Sequence, residues 1–293
     1  MYMAYPLFDL GGSGPIVLLA PANGFPPETY TSALEPLLAG HRVVSLPPRA
    51  MWPDAGMPPE RPGSWTELAD DLLEGMRLHD LPPVVAIGHS FGGVASLLAA
   101  VREPSRFRGL ALLDPTILPP AMMTEIREQR ERGEMSFRPL VQGARKRRDR
   151  FESTGEAFDY WRQKPLFADW PDDAVWTYAR AMLRAGDDGE GFVLSWSSAW
   201  EAYYYESFYT DTWDDIDKLD PAIPVLVVGG ARSETFLPAS AALFRARLRH
   251  GTHLHIPERG HLFPQSAPAE TGRVLQSWLE SLELSMAAAE GSA

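Results

Sequence analysis

Ser90 sits in Gly88-His89-Ser90-Phe91-Gly92, a GxSxG pattern between the strand-length apolar run PVVAIGH (83 to 89) and a small, apolar stretch from Gly92 to Ala100 suited to a buried helix. A tight strand-to-helix turn of this kind strains the serine backbone and projects its hydroxyl from the sheet. A serine hydroxyl is a weak nucleophile near neutral pH until a base takes its proton. His261, in ERGHLFP just beyond the last strand-like run, is the expected base. The imidazole in turn needs a carboxylate to fix its tautomer and stabilise the imidazolium. Glu234, in the loop after PVLVVGG, gives the order serine, acid, histidine and is the expected acid. Asp114, closing GLALLDP at the same end of the sheet, is the alternative. An oxyanion developing at the attacked carbonyl needs preorganised donors. The Phe91 amide follows the nucleophile, and the loop Ala22-Asn23-Gly24-Phe25-Pro26 offers Phe25 as the second, because Pro26 has no N–H. Asn23 of that loop is expected at the substrate. His253 and His255 alternate along a strand; without a nearby third ligand they read as structural, and no metal or cofactor is expected.

The elements that must position these groups follow from hydrophobic patterning. PIVLLAP (15 to 21), HRVVSL (41 to 46), PVVAIGH, GLALLDP (109 to 115), PVLVVGG (224 to 230) and HLHIPE (253 to 258) are mostly continuous apolar runs with helical stretches between them. That is the pattern of a parallel sheet buried on both faces. A first strand near Tyr5 to Leu10 is expected to turn back through Gly11-Gly12-Ser13-Gly14 as a hairpin. The glycine cluster lacks GxGxxG spacing and precedes a strand, which argues against a phosphate loop. Ser64-Trp65-Thr66-Glu67 has the capping-box pattern of a helix start.

From about Pro119 to Lys218 strand-like runs vanish, and charged helix gives way to a basic run and then to many aromatics. We read residues 119–218 as a helical lid inserted into a core made of 1–118 and 219–293. Trp196, Trp200, Tyr203, Tyr204, Tyr205, Phe208, Tyr209 and Trp213 are candidates for an apolar pocket, with Trp200 and Tyr204 placed at the substrate; the rest of their work is packing. Trp52, in a loop at the same sheet end, is expected to touch substrate. The run Arg145-Lys146-Arg147-Arg148-Asp149-Arg150 reads as a solvated helix face, an anionic ligand group being the lesser alternative.

Composition limits the function classes. At 293 residues, 45% hydrophobic and 23% charged, the chain suits a globular protein. A net charge of −12 disfavours a nucleic-acid partner. With no cysteine, disulfides and thiolate chemistry are excluded. The N-terminus lacks signal-peptide texture and no 18-residue apolar run exists, so no membrane span and a cytoplasmic location are expected. Oligomeric state does not follow.

With GHSFGG, the Asn-Gly-Phe loop and GHLFP in place, the chain resembles the α/β-hydrolase fold with a lid over nearly its whole length. The resemblance implies a mostly parallel eight-stranded sheet flanked by helices, a Ser-acid-His triad and oxyanion amides at Phe25 and Phe91. It differs from the usual pattern in having Asn23-Gly24 for His-Gly, and Glu234 for the commoner aspartate. Members resembling epoxide hydrolases or haloalkane dehalogenases carry aspartate where Ser90 stands, and those resembling dienelactone hydrolases carry cysteine. The expectation is a serine hydrolase acting on a small or medium ester, with a small-molecule substrate that is partly apolar or aromatic. The same triad would also serve carbon–carbon hydrolysis, lactone opening, perhydrolysis or acyl transfer, and the fold can act as a ligand-binding module.

Overall fold

The structure, a computed structural model, describes residues 5–290; Met1 to Ala4, part of the N-terminal segment discussed above, and residues 291–293 lie outside it. The apolar runs form the strands β1 (Phe8–Gly11), β2 (Ile16–Ala20), β3 (Arg42–Ser45), β4 (Val84–His89) and β5 (Phe107–Leu113). After an excursion that contains β6 (Arg150–Phe151), β7 (Leu183–Ala185) and β8 (Phe192–Leu194), the chain returns for β9 (Val225–Gly230) and β10 (Thr252–Ile256). The main sheet runs β1-β3-β2-β4-β5-β9-β10, seven strands among the described residues where eight were expected. All its pairings are parallel except β1 with β3.

Two expectations are corrected here. The first strand makes no hairpin with the second: it pairs antiparallel with β3, Phe8 opposite Ser45. Gly12 and Gly14 adopt positive φ as the loop wraps closely around Leu38–His41, where a Cβ on Gly12 would lie 2.0 Å from the His41 carbonyl oxygen. This crossing carries β2 into the sheet interior. The inserted segment is also not purely helical, since β6, β8 and β7 form a small antiparallel sheet. Those strands are two or three residues long, too short for an apolar run to show.

The central strands are buried on both faces because helices cover them. Helix Phe91–Arg102, small and apolar, packs on β4 and β5, with helix Thr66–Leu78 against it. Ser64 does not form the reciprocal capping box: its hydroxyl accepts from the Thr66 amide (3.3 Å), while the Glu67 amide donates to the Ser64 carbonyl. The Glu67 carboxylate turns instead to Arg49 (3.4 Å). Helix Pro268–Glu290 lays Trp278 and Leu282 on β5, at a strand position, Gly109, whose missing side chain makes room for them.

Candidate active site

The turn between β4 and helix Phe91–Arg102 leaves almost no volume. A Cβ on Gly88 would stand 2.5 Å from the Gly92 carbonyl oxygen, and one on Gly92 would stand 2.2 Å from that of Ala20. Both glycines are therefore steric requirements, and Ser90 between them takes φ 59°, ψ −124°. Backbone in so sparse a region costs about 1–3 kcal/mol and is held there by its surroundings.

Ser90 Oγ lies 3.0 Å from His261 Nε2, and His261 Nδ1 lies 2.7 Å from Asp114 Oδ1. The carboxylate facing His261 is thus Asp114, the alternative acid, and not the expected Glu234; this follows from strand order, because β5 lies between β4 and β9 and its end abuts both the serine turn and the loop after β9. That loop presents Ser233 and Thr235, whose hydroxyls donate to Asp114 Oδ1 at 2.5 and 2.8 Å. The Gly230 amide donates to Oδ2 at 2.7 Å. Glu234, between the two hydroxyl residues, lines the cavity and makes no hydrogen bond to His261 among the described residues. Burial by itself would raise the Asp114 carboxyl, but the hydrogen bond and charge of His261, with the Gly230 and Ser233 donors, outweigh it and hold its pKa below the ordinary value.

The proton positions follow. His261 donates from Nδ1 to the carboxylate, so Nε2 accepts from Ser90. Ser90 Oγ then accepts from Thr116 Oγ1, 2.9 Å away. Thr116, Ser233 and Thr235 were missed from the sequence; a hydroxyl three to five residues past a strand end carries no recognisable signal.

His89, within the serine turn, is fully buried and bridges two loops. The Ala22 amide donates to the Tyr30 hydroxyl (2.9 Å), which therefore donates its own proton to His89 Nδ1 (2.7 Å). His89 Nε2–H then donates to the His261 carbonyl (2.9 Å). Burial, with the neighbouring His261, pushes the His89 pKa down to about 3, so the ring is neutral.

The Phe91 amide begins a helix, where N–H groups have no intrahelical acceptor. The Phe25 amide is not free: it donates to the Ala22 carbonyl (3.1 Å). Gly24, with φ 80°, closes Ala22–Phe25 into a type II turn, which spends that N–H inside the turn.

Above Ser90 lies a cavity of about 1010 Å³, lined by Asn23, Phe25, Ser90, Thr116, Glu234 and His261 among others. Asn23 Nδ2 donates to the Glu201 carbonyl across the cavity wall (3.0 Å). Trp52, Trp200 and Tyr204 do not line it. The indoles of Trp52 and Trp200 donate to the carbonyls of Pro47 and Gly56, both at 2.9 Å. Tyr204 accepts from the Ala50 amide and stacks edge-on near Phe91. All three are buried where the inserted segment or a loop meets the core. Of the aromatic candidates, Tyr205 and Phe208 reach the cavity, joined by Phe137, Trp161, Trp170 and Tyr178. The basic run is largely neutralised, with Arg145, Arg147, Arg148 and Arg150 paired to Glu206, Glu201, Glu156 and Asp188. His253 Nε2 meets the Leu248 carbonyl (3.1 Å), and no cluster of three metal-ligating side chains occurs among the described residues.

A sequence profile of the alpha/beta hydrolase family matches residues 17–274, which covers both the serine turn and the His261 loop. The chain belongs to the alpha/beta hydrolase family. Over 113 residues it is 31% identical to bifunctional epoxide hydrolase 2 of Rattus norvegicus, a match spanning 37% of this chain and 20% of that protein. Among solved structures, E-2-(acetamidomethylene)succinate hydrolase superposes with a TM-score of 0.77 at 19% identity, covering 94% of each chain. An M. tuberculosis esterase gives 0.67 at 19% identity over 92% of this chain and 86% of its own. These likenesses concern the fold of the alpha/beta hydrolase core.

Proposed function

We propose that this alpha/beta hydrolase is a serine hydrolase that cleaves a small or medium ester through an acyl-enzyme on Ser90. The observation that carries the reading is the unbroken chain from Ser90 Oγ through His261 to Asp114 at the floor of the large cavity. Ser90 Oγ adds to the ester carbonyl as His261 Nε2 takes its proton, and Asp114 stabilises the resulting imidazolium. The carbonyl oxygen becomes an anion facing the Phe91 amide. The imidazolium then protonates the departing alcohol oxygen as the C–O bond breaks, leaving the acyl group on Ser90. Water, deprotonated by His261, repeats the addition and releases the acid.

Thr116 contributes to the resting state by donating to Ser90 Oγ, which directs the serine proton at His261. Serine at position 90 separates this reading from the aspartate-nucleophile members described above. A fluorophosphonate probe should label wild-type protein on Ser90 and leave Ser90→Ala unlabelled, and a panel of 4-nitrophenyl esters should be turned over only by wild type. Folded wild-type protein that neither reacts with the probe nor turns over any ester would refute the proposal.

A further inference from the structure

The charges around the cavity are unevenly matched. Arg147 is held by Glu201 at 2.6 Å, Arg232 pairs with Glu258, and Asp169 lies 3.5 Å from Arg259. Lys146, Lys164 and Glu234 also line the cavity and form no ion pair among the described residues. The chain has only three lysines, and the third, Lys218, is tied to Asp215 at 2.9 Å. Two of three therefore line one cavity, in a protein of net charge −12 that otherwise uses arginine as its cation.

Their surroundings sharpen the point. Both lysines are exposed while lining the cavity, so they stand at its mouth. The Lys164 ammonium rests 4.2 Å from the ring centroid of Tyr160, a face that attracts a cation without neutralising it. Beside them Arg147 lies over Trp161, and a Cβ on Gly24 would be 3.6 Å from its Nη1, so this cationic wall abuts the turn next to the scissile site. Glu201 and Tyr178 occupy two of the five guanidinium N–H donors. Glu234, adjacent to Thr235 at the triad, places the unpaired negative charge near the reacting bond. Among the unpaired groups, an anion is thus repelled by Glu234 beside the triad and attracted by Lys146 and Lys164 on the inserted segment.

We infer that the preferred substrates carry a carboxylate remote from the scissile ester, and that Lys146 and Lys164 select it. This rests on the serine-hydrolase reading for turnover but not for binding. Mono-4-nitrophenyl suberate and 4-nitrophenyl octanoate share an eight-carbon acyl chain and differ in the terminal carboxylate. Wild type should favour the suberate in kcat/KM by about tenfold, through KM, with the preference shrinking as salt rises. The double variant Lys146→Met/Lys164→Met should lose the preference and keep its octanoate turnover. Equal kcat/KM for the two esters in wild type, or a preference that survives both substitutions, overturns the inference. Binding of the same two esters to Ser90→Ala, followed by quenching of tryptophan fluorescence, reads the site without catalysis. Tighter suberate binding that the two lysine substitutions abolish supports the inference even if wild type fails to turn over either ester; equal binding overturns it.

Discussion

The Asp114 carboxylate is fully buried and accepts from His261, Gly230, Ser233 and Thr235, which favours its ionised form and fixes its orientation toward His261. Replacing it with asparagine keeps the shape but removes the charge and turns an acceptor into a potential donor, which disfavours the productive His261 tautomer. Asp114→Asn should lower kcat on a 4-nitrophenyl ester by about 10³–10⁴-fold, whereas Glu234→Gln should stay within several-fold of wild type. Steady-state kinetics on the two purified variants decides between them, and the reverse ranking would restore Glu234 as the acid. The buried His89 acts on the same histidine through its backbone. Its Nε2–H holds the His261 carbonyl while Tyr30 fixes its tautomer from the other side.

At the scale of elements, the serine turn exists because two glycines let β4, the following helix and the end of β2 approach within contact distance. Gly92→Ala would drive a methyl group into the Ala20 carbonyl, a backbone atom that cannot swing aside. It should cost about 3 kcal/mol or more of stability, read as a lowered urea midpoint. Gly143, in helix Arg138–Arg145, has open space at its Cβ position, and Gly143→Ala should stabilise by up to about 1 kcal/mol through helix propensity. A Gly92→Ala protein as stable as wild type would show that the turn has more room than its geometry implies.

Across the whole molecule, folding hides a neutral histidine from protons. The His89 pKa is depressed to about 3, against about 6.5 when unfolded, so between those values the unfolded chain binds a proton that the folded chain does not. Stability therefore falls as pH drops below about 6.5, by up to about 1.4 kcal/mol per pH unit from this group. Asp114, whose pKa is lowered, adds its own loss only when the pH falls below the ordinary carboxyl value. Urea unfolding of wild type and His89→Gln between pH 4.5 and 7 checks this. Glutamine can accept from Tyr30 and donate to the His261 carbonyl, and the variant should show the shallower pH slope. Equal slopes would show that His89 does not set the acid limb.

His261 was legible as a candidate from its loop just beyond the last strand-like run, and the serine turn was legible in the sequence because GxSxG between an apolar strand and a small-residue helix encodes it locally. The parallel core was legible for the same reason, since strands buried on both faces must be apolar throughout. The choice of acid was not, because Asp114 and Glu234 both follow strands at the same end of the sheet. Strand order decided it, together with Ser233 and Thr235, whose hydroxyls turn to Asp114 while Glu234 faces the cavity. The aromatic lining was equally hidden: Trp52, Trp200 and Tyr204 have the composition of a pocket, but packing gave their polar atoms backbone partners away from the cavity. Sequence by itself determined which groups could do the chemistry, through residue type and local backbone constraint. Tertiary structure decided which of them meet, because contacts such as His261 with Asp114, 147 positions apart, depend on how the strands and loops between them pack.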